Sequence, residues 1–136
     1  MSLMQNLYAR TVFFVRDTSA ALEFYTSALG FKLDWTHEVE GRPYVIQVSL
    51  LGLEIILNQT ESDTRGRPGH GRLFVGLDEA QTAAFLQHLR KKGISPAYEH
   101  WGAPTMVVSD LDQNELFFWL SDAERAKWAE AQSGVG

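Results

Sequence analysis

The chain has 136 residues, 45% of them hydrophobic and 21% charged, with a formal net charge of -5 and no cysteine. That length serves one well-buried core but not two ordinary domains, and the composition is globular rather than disordered or fibrous. The acidic balance disfavours nucleic acid, the missing cysteines exclude disulfides, thiolate metal sites and a thiol nucleophile, and no apolar run approaches the ~20 residues of a membrane span.

In chain order, "ARTVFFV" (9–15) is a β-rich apolar run, and "RDTSAALEFYTSALG" (16–30) follows as a helix with Asp17 or Thr18 as N-cap and Gly30 as the stop. Leu22, Tyr25 and Leu29 fall on one face of that helix beside Ala21, Phe24 and Ala28, so the face is expected to be buried. Three strand-like runs come next, "FKLDWTHEVE", "RPYVIQVSL" and "LEIILNQ", with Gly41 and Gly52 placed for hairpin turns. After the polar stretch "TESDTRGRPGHG" the pattern restarts. "RLFVGL" reads as a strand, and "DEAQTAAFLQHLRKKG" as a helix with Asp78 and Gln81 at capping-box spacing and Gly93 as its stop. The basic triplet Arg90 to Lys92 complements that helix C-terminus. "ISPAYEHW", "PTMVVS" and "ELFFWL" are three further strands, and "SDAERAKWAEAQ" closes the chain as a helix capped by Ser121 and Glu124.

The order therefore repeats. Residues 8–60 and 72–121 each read β-α-β-β-β, and 122–132 form a C-terminal helix. The expectation is an α+β fold: one domain over 1–136, two tandem modules forming a concave sheet, and helices outside. Between the last two strands, "SDLDQN" begins like a calcium loop, with Asp110, Asp112 and Asn114 at alternate positions. The sixth position holds Glu115 instead of glycine and the twelfth Ser121 instead of glutamate, so the stretch reads as a turn.

The tandem order, together with "VRDTSAALEFYTSALGFKL" and "WGAPTMVVSDLDQNELFFW", resembles the glyoxalase / bleomycin-resistance / extradiol dioxygenase superfamily. The final turn departs from the D-P-D-G-N form it resembles, with Leu111 and Gln113 in place of the proline and glycine. The resemblance implies a homodimer, often with a cleft assembled from both chains. In the enzymes it also implies a divalent metal held by the first and last strand of each module.

Those four positions fall on Arg10, Glu54, Arg72 and Phe117. Only Glu54 has a donor atom for a metal, because guanidinium stays protonated and phenyl has no lone pair. His70, two residues before Arg72, could serve only after a two-residue slip. If the four positions meet, Glu54 would lie between Arg10 and Arg72, with fixed positive charge in place of a metal.

Period-two alternation assigns the rest of the inner face: Val12 and Phe14 with Arg10, Ile56 and Asn58 with Glu54, Phe74 with Arg72, and Glu115 and Trp119 with Phe117. Trp35, Tyr44 and Trp101 could wall the cleft. The expected ligand-binding set is Arg10, Phe14, Trp35, Tyr44, Glu54, Arg72, Phe74, Trp101, Phe117 and Trp119, with no catalytic residue, metal or other cofactor. Each aromatic taken singly also suits a core or a dimer interface. The leading reading is a cytoplasmic, homodimeric, metal-free binder of an apolar, aromatic or cationic small molecule, with no nucleic-acid or membrane partner. The alternatives are a metal-dependent lyase, isomerase or dioxygenase using ligands from Glu54, His70, His37, His100 and Glu115, and a silent module whose cleft its own side chains fill.

Overall fold

Two ladders of the same order organise the chain. The computed structural model describes residues 9–60, 68–100 and 104–133. The first module runs β1 (Thr11–Val15), α1 (Thr18–Glu23), a π-helical turn (Phe24–Ala28), β2 (Lys32–Val39), β3 (Arg42–Leu50) and β4 (Leu53–Gln59). The second runs β5 (Arg72–Gly76), α2 (Glu79–Lys92), β6 (Ala97–His100), β7 (Pro104–Ser109) and β8 (Glu115–Trp119), and α3 (Asp122–Ser133) follows. The sheets are ordered β1-β4-β3-β2 and β5-β8-β7-β6. In each, the first and last strands of the module pair in parallel and the remaining pairs are antiparallel hairpins. Among the described residues, no helix is long and apolar enough to cross a membrane.

The punctuation read from the sequence acts as expected. Asp17 caps α1 by accepting from Ala20 N at 3.2 Å, and Asp78 and Gln81 form a reciprocal capping box on α2. Ser121 Oγ accepts from Glu124 N at 3.4 Å at the start of α3. The β3–β4 turn places Leu51 (φ 52) and Gly52 (φ 89) both in the left-handed region, the pairing a two-residue hairpin requires.

Alternation sends one face of each sheet into a single shared core. Phe13, Val15, Ile46, Val48, Ile55 and Leu57 of the first module meet Met106, Val108, Leu116 and Phe118 of the second, with Tyr25, Leu29, Phe85 and Leu89 from the helices. The first helix departs from a continuous α-helix. After Glu23 its backbone widens, with Leu29 N donating to Phe24 O at 3.2 Å and Phe31 N to Tyr25 O at 2.9 Å. Thr26 Oγ1 bonds Leu22 O at 2.7 Å within this stretch, a local bond that competes with the helical ladder.

The Asp110–Asn114 turn joins the modules. Asp110 Oδ1 accepts from the backbone of Asp112 and Asn114 at 2.8 and 2.9 Å. Its Oδ2 accepts from Tyr25 Oη at 2.9 Å and from Asn114 Nδ2 at 3.0 Å. Asn114 also reaches Phe14 O and Gly71 N, while Asp112 Oδ1 accepts from the backbone N of Arg16 and from its guanidinium. Both Asp110 oxygens, Asn114 Oδ1 and Asp112 Oδ1, which looked like cation ligands, are thus occupied by protein donors. Burial pushes the Asp110 carboxyl above its ordinary value, against four hydrogen bonds that pull the other way. A Cβ on Gly71 would come within 2.4 Å of the Phe13 ring and 2.7 Å of Asn114 Oδ1, so only glycine permits this approach.

Candidate functional site: the open faces of the two sheets

The strand register makes the two open faces comparable residue by residue. Arg10 and Glu54 stand one residue ahead of the Thr11–Ile55 pair, and Arg72 is paired with Glu115. Arg10 therefore corresponds to Arg72, Glu54 to Glu115, Val12 to Phe74 and Ile56 to Phe117. Through the neighbouring strands, Gln47 corresponds to Val107 and Ser49 to Ser109.

This correspondence sharpens the reading of the metal positions. Phe117, reached by counting forward from the turn, is the counterpart of Ile56 and not of Glu54. A symmetric set is then either two arginines with two glutamates, or two arginines with Ile56 and Phe117. The first offers two carboxylates but no imidazole, beside two guanidiniums that cannot coordinate and repel a cation, and the second offers no donor atom at all. The residues present do not fit the metal that the enzymes' pattern implies. Among the described residues, no three His, Asp or Glu side chains come together around a point that could hold a metal ion.

In the first module a glutamine stands at the centre. Gln47 is 4% exposed, and its amide is saturated. Oε1 accepts from Arg10 Nη1 at 2.5 Å and from Trp35 Nε1 at 3.2 Å, while Nε2 donates to Glu54 Oε2 at 2.6 Å and to Asp34 Oδ2 at 2.9 Å. Ser49 Oγ donates to the other Asp34 oxygen at 2.9 Å. The Gln47 hydrogen bond holds the Asp34 carboxyl below its ordinary value, with desolvation opposing it and Ser49 and Lys32 assisting.

A bulge brings Asp34 to this face. Leu33 pairs with Val48 and Trp35 with Gln47, so Asp34 is an extra residue in β2 and lies beside Trp35 rather than opposite it. Strict alternation would have put Asp34 and Trp35 on different faces, and sequence reading missed Asp34 for that reason. Gln47 did leave a signal, as the one amide inside the apolar run "YVIQVSL".

In the second module the arginine, glutamate and serine recur, but Val107 stands for Gln47, and Phe74 and Phe117 stand for Val12 and Ile56. Phe117 is 1% exposed yet stands apart from the shared core, and the Arg72 guanidinium lies 4.8 Å from its ring centre. Arg72 Nε contacts Glu115 Oε1 directly at 3.1 Å. Phe74 is 50% exposed and 6.1 Å from Trp119, and the Arg125 guanidinium covers Trp119 at 4.3 Å.

The structure thus groups Arg10, Trp35 and Glu54 around Gln47, and Arg72, Phe74, Phe117 and Trp119 around a second cluster. Phe14 pairs with Asn58 near the end of β1, half-buried. Tyr44 is the extra β3 residue between Val45 and Pro43, which pair with His37 and Glu38, and its carbonyl accepts from Thr18 Oγ1 at 3.0 Å. The expected flanking of Glu54 by two arginines takes a different form: Glu54 reaches Arg10 through Gln47, and Arg72 has Glu115, its register partner. His37 and His70 are exposed and His88 contacts Ala28 O at 2.9 Å. Trp101 and the side chain of His100 lie outside the described residues.

Known proteins share this fold. The bleomycin-binding protein of Streptomyces verticillus, solved with copper(II)-bleomycin, has 17% identity and a TM-score of 0.65, covering 88% of this chain and 100% of its own. An antibiotic-binding protein from a Streptomyces species has 21% identity and a TM-score of 0.58, with 87% and 99% covered. A lactoylglutathione lyase from Agrobacterium tumefaciens has 15% identity and a TM-score of 0.60, with 86% and 95% covered. At these identities the likeness is one of fold. No curated protein sequence matches the chain. The profile of one family matches residues 8–118, nearly the whole of both modules, and on that match the chain belongs to the Glyoxalase/Bleomycin resistance protein/Dioxygenase superfamily.

Proposed function

We propose that this protein binds a small aromatic, apolar or cationic molecule on its open faces without a metal, in the manner of the superfamily's sequestering members. The observation that carries the reading is the filling of the metal positions. An amide hub with Trp35 occupies one module, and a phenyl floor with Phe74 and Trp119 occupies the other. Rings that are partly exposed and fixed in place suit stacking on a flat ligand. That one protein of this fold was solved with copper(II)-bleomycin and another is an antibiotic-binding protein supports the same reading.

A cytoplasmic homodimer completes the proposal. Val12 and Phe74, at equivalent positions, are 47% and 50% exposed, which leaves apolar surface on both open faces for a second copy to help cover. Tryptophan quenching by a panel of planar aromatic compounds tests the reading. Saturable quenching that weakens in F74A and W35F is expected. A panel that leaves the emission unchanged, or stoichiometric metal surviving dialysis, would overturn it.

A further inference from the structure

The two modules differ in polarity at one pair of equivalent positions, Gln47 and Val107. Where Val107 stands, Arg72 closes directly on Glu115, and a cation neutralises the carboxylate. Where Gln47 stands, the corresponding Arg10 and Glu54 are both bonded to a neutral amide, which also holds Asp34. An amide satisfies the hydrogen-bonding needs of a carboxylate without cancelling its charge. Among the described residues, the cation within ion-pair distance of Asp34 is Lys32, at 3.9 Å and with 81% of its side chain exposed, where screening makes the attraction small. The same glutamine fixes the Trp35 indole by its N–H and leaves the residue 38% exposed. A ring with two carboxylates beside it is a setting for an organic cation.

Resting on the small-molecule reading above, we infer that Gln47 is the specificity-determining residue of the first module's open face. It positions Asp34, Glu54 and Trp35 so that this face takes the protonated amine of a planar aromatic ligand. The Asp34 carboxyl, held below its ordinary pKa first by the Gln47 hydrogen bond, agrees with a carboxylate that stays ionised.

Two probes of one ring system separate charge from shape. Proflavine is cationic at neutral pH, whereas acridine is the same tricycle uncharged. Wild type is expected to bind proflavine more tightly than acridine. Q47V lets Arg10 close on Glu54 as Arg72 does on Glu115, so the preference should fall by roughly tenfold with acridine affinity nearly retained. E54Q and D34N, which remove charge with little change of shape, should move the preference the same way and carry the test if Q47V does not fold. An unchanged proflavine-to-acridine ratio in folded variants would overturn the role of Gln47 while leaving the binding function standing. Failure of wild type to bind either dye would overturn both.

Discussion

The Tyr25 hydroxyl donates to Asp110 Oδ2 at 2.9 Å, joining the first helix of one module to the last hairpin of the other across 85 residues of sequence. Both residues are buried, so neither can exchange this bond for one to water without opening the joint between the modules. Burial and the two nearby carboxylates push the Tyr25 hydroxyl well above its ordinary value, which keeps it a donor.

Removing that donor with Y25F should destabilise the fold by about 1–2 kcal/mol, because a buried acceptor loses a partner. D110A should cost about 3 kcal/mol or more, since it strands the N–H groups of Asp112 and Asn114 as well. Urea unfolding at neutral pH reads both, and unchanged midpoints would show that the turn does not bind the modules together.

Glu54 and Glu115 occupy equivalent positions but differ in setting. E115A removes a contact whose partner Arg72 has 62% of its side chain exposed, and should cost less than about 1 kcal/mol. E54A breaks a 2.6 Å bond to buried Gln47 and should cost about 2 kcal/mol. Equal losses in thermal or chemical melts would contradict the hub.

Asp34 makes stability depend on pH in a defined direction. Its folded carboxyl is held below the unfolded value, chiefly by Gln47, so its contribution is present above the ordinary carboxylate range and fades as pH falls through the depressed value. The stability difference between wild type and D34N should stay level from neutral pH down to that range and then shrink. A difference that widens in acid would reverse the assignment.

Gln113 adopts φ +72 at the tip of the β7–β8 turn, a conformation that costs an L-residue about 1–2 kcal/mol. Glycine avoids this strain but loses more backbone entropy on folding, so Q113G should stabilise by about 0.5–1 kcal/mol net. A lowered urea midpoint would mean that the Gln113 side chain contributes more than its backbone costs.

Much of this architecture was legible in the residues. The repeated β-α-β-β-β order, the caps at Asp17 and Asp78, and the hairpins at Gly41 and Gly52 follow from period and punctuation, which are local properties. Two features of the candidate site were not legible. Asp34 reaches the open face through a bulge, and a bulge breaks the alternation on which a face assignment rests. The Asp110–Asn114 turn was rightly read as a turn, but its partners Tyr25, Phe14 and Arg16 belong to the other module, and a local pattern carries no information about them. Counting from that turn to Phe117 likewise gave a position without revealing that Ile56, and not Glu54, is its counterpart.

Equilibrium binding of proflavine before and after exhaustive chelation is the most direct measurement of metal-free recognition. If Gln47 and the aromatic positions do the binding, the dissociation constant is the same in both preparations and rises in W35F and F74A. Loss of binding on chelation, with recovery on adding back a divalent metal, would contradict the account.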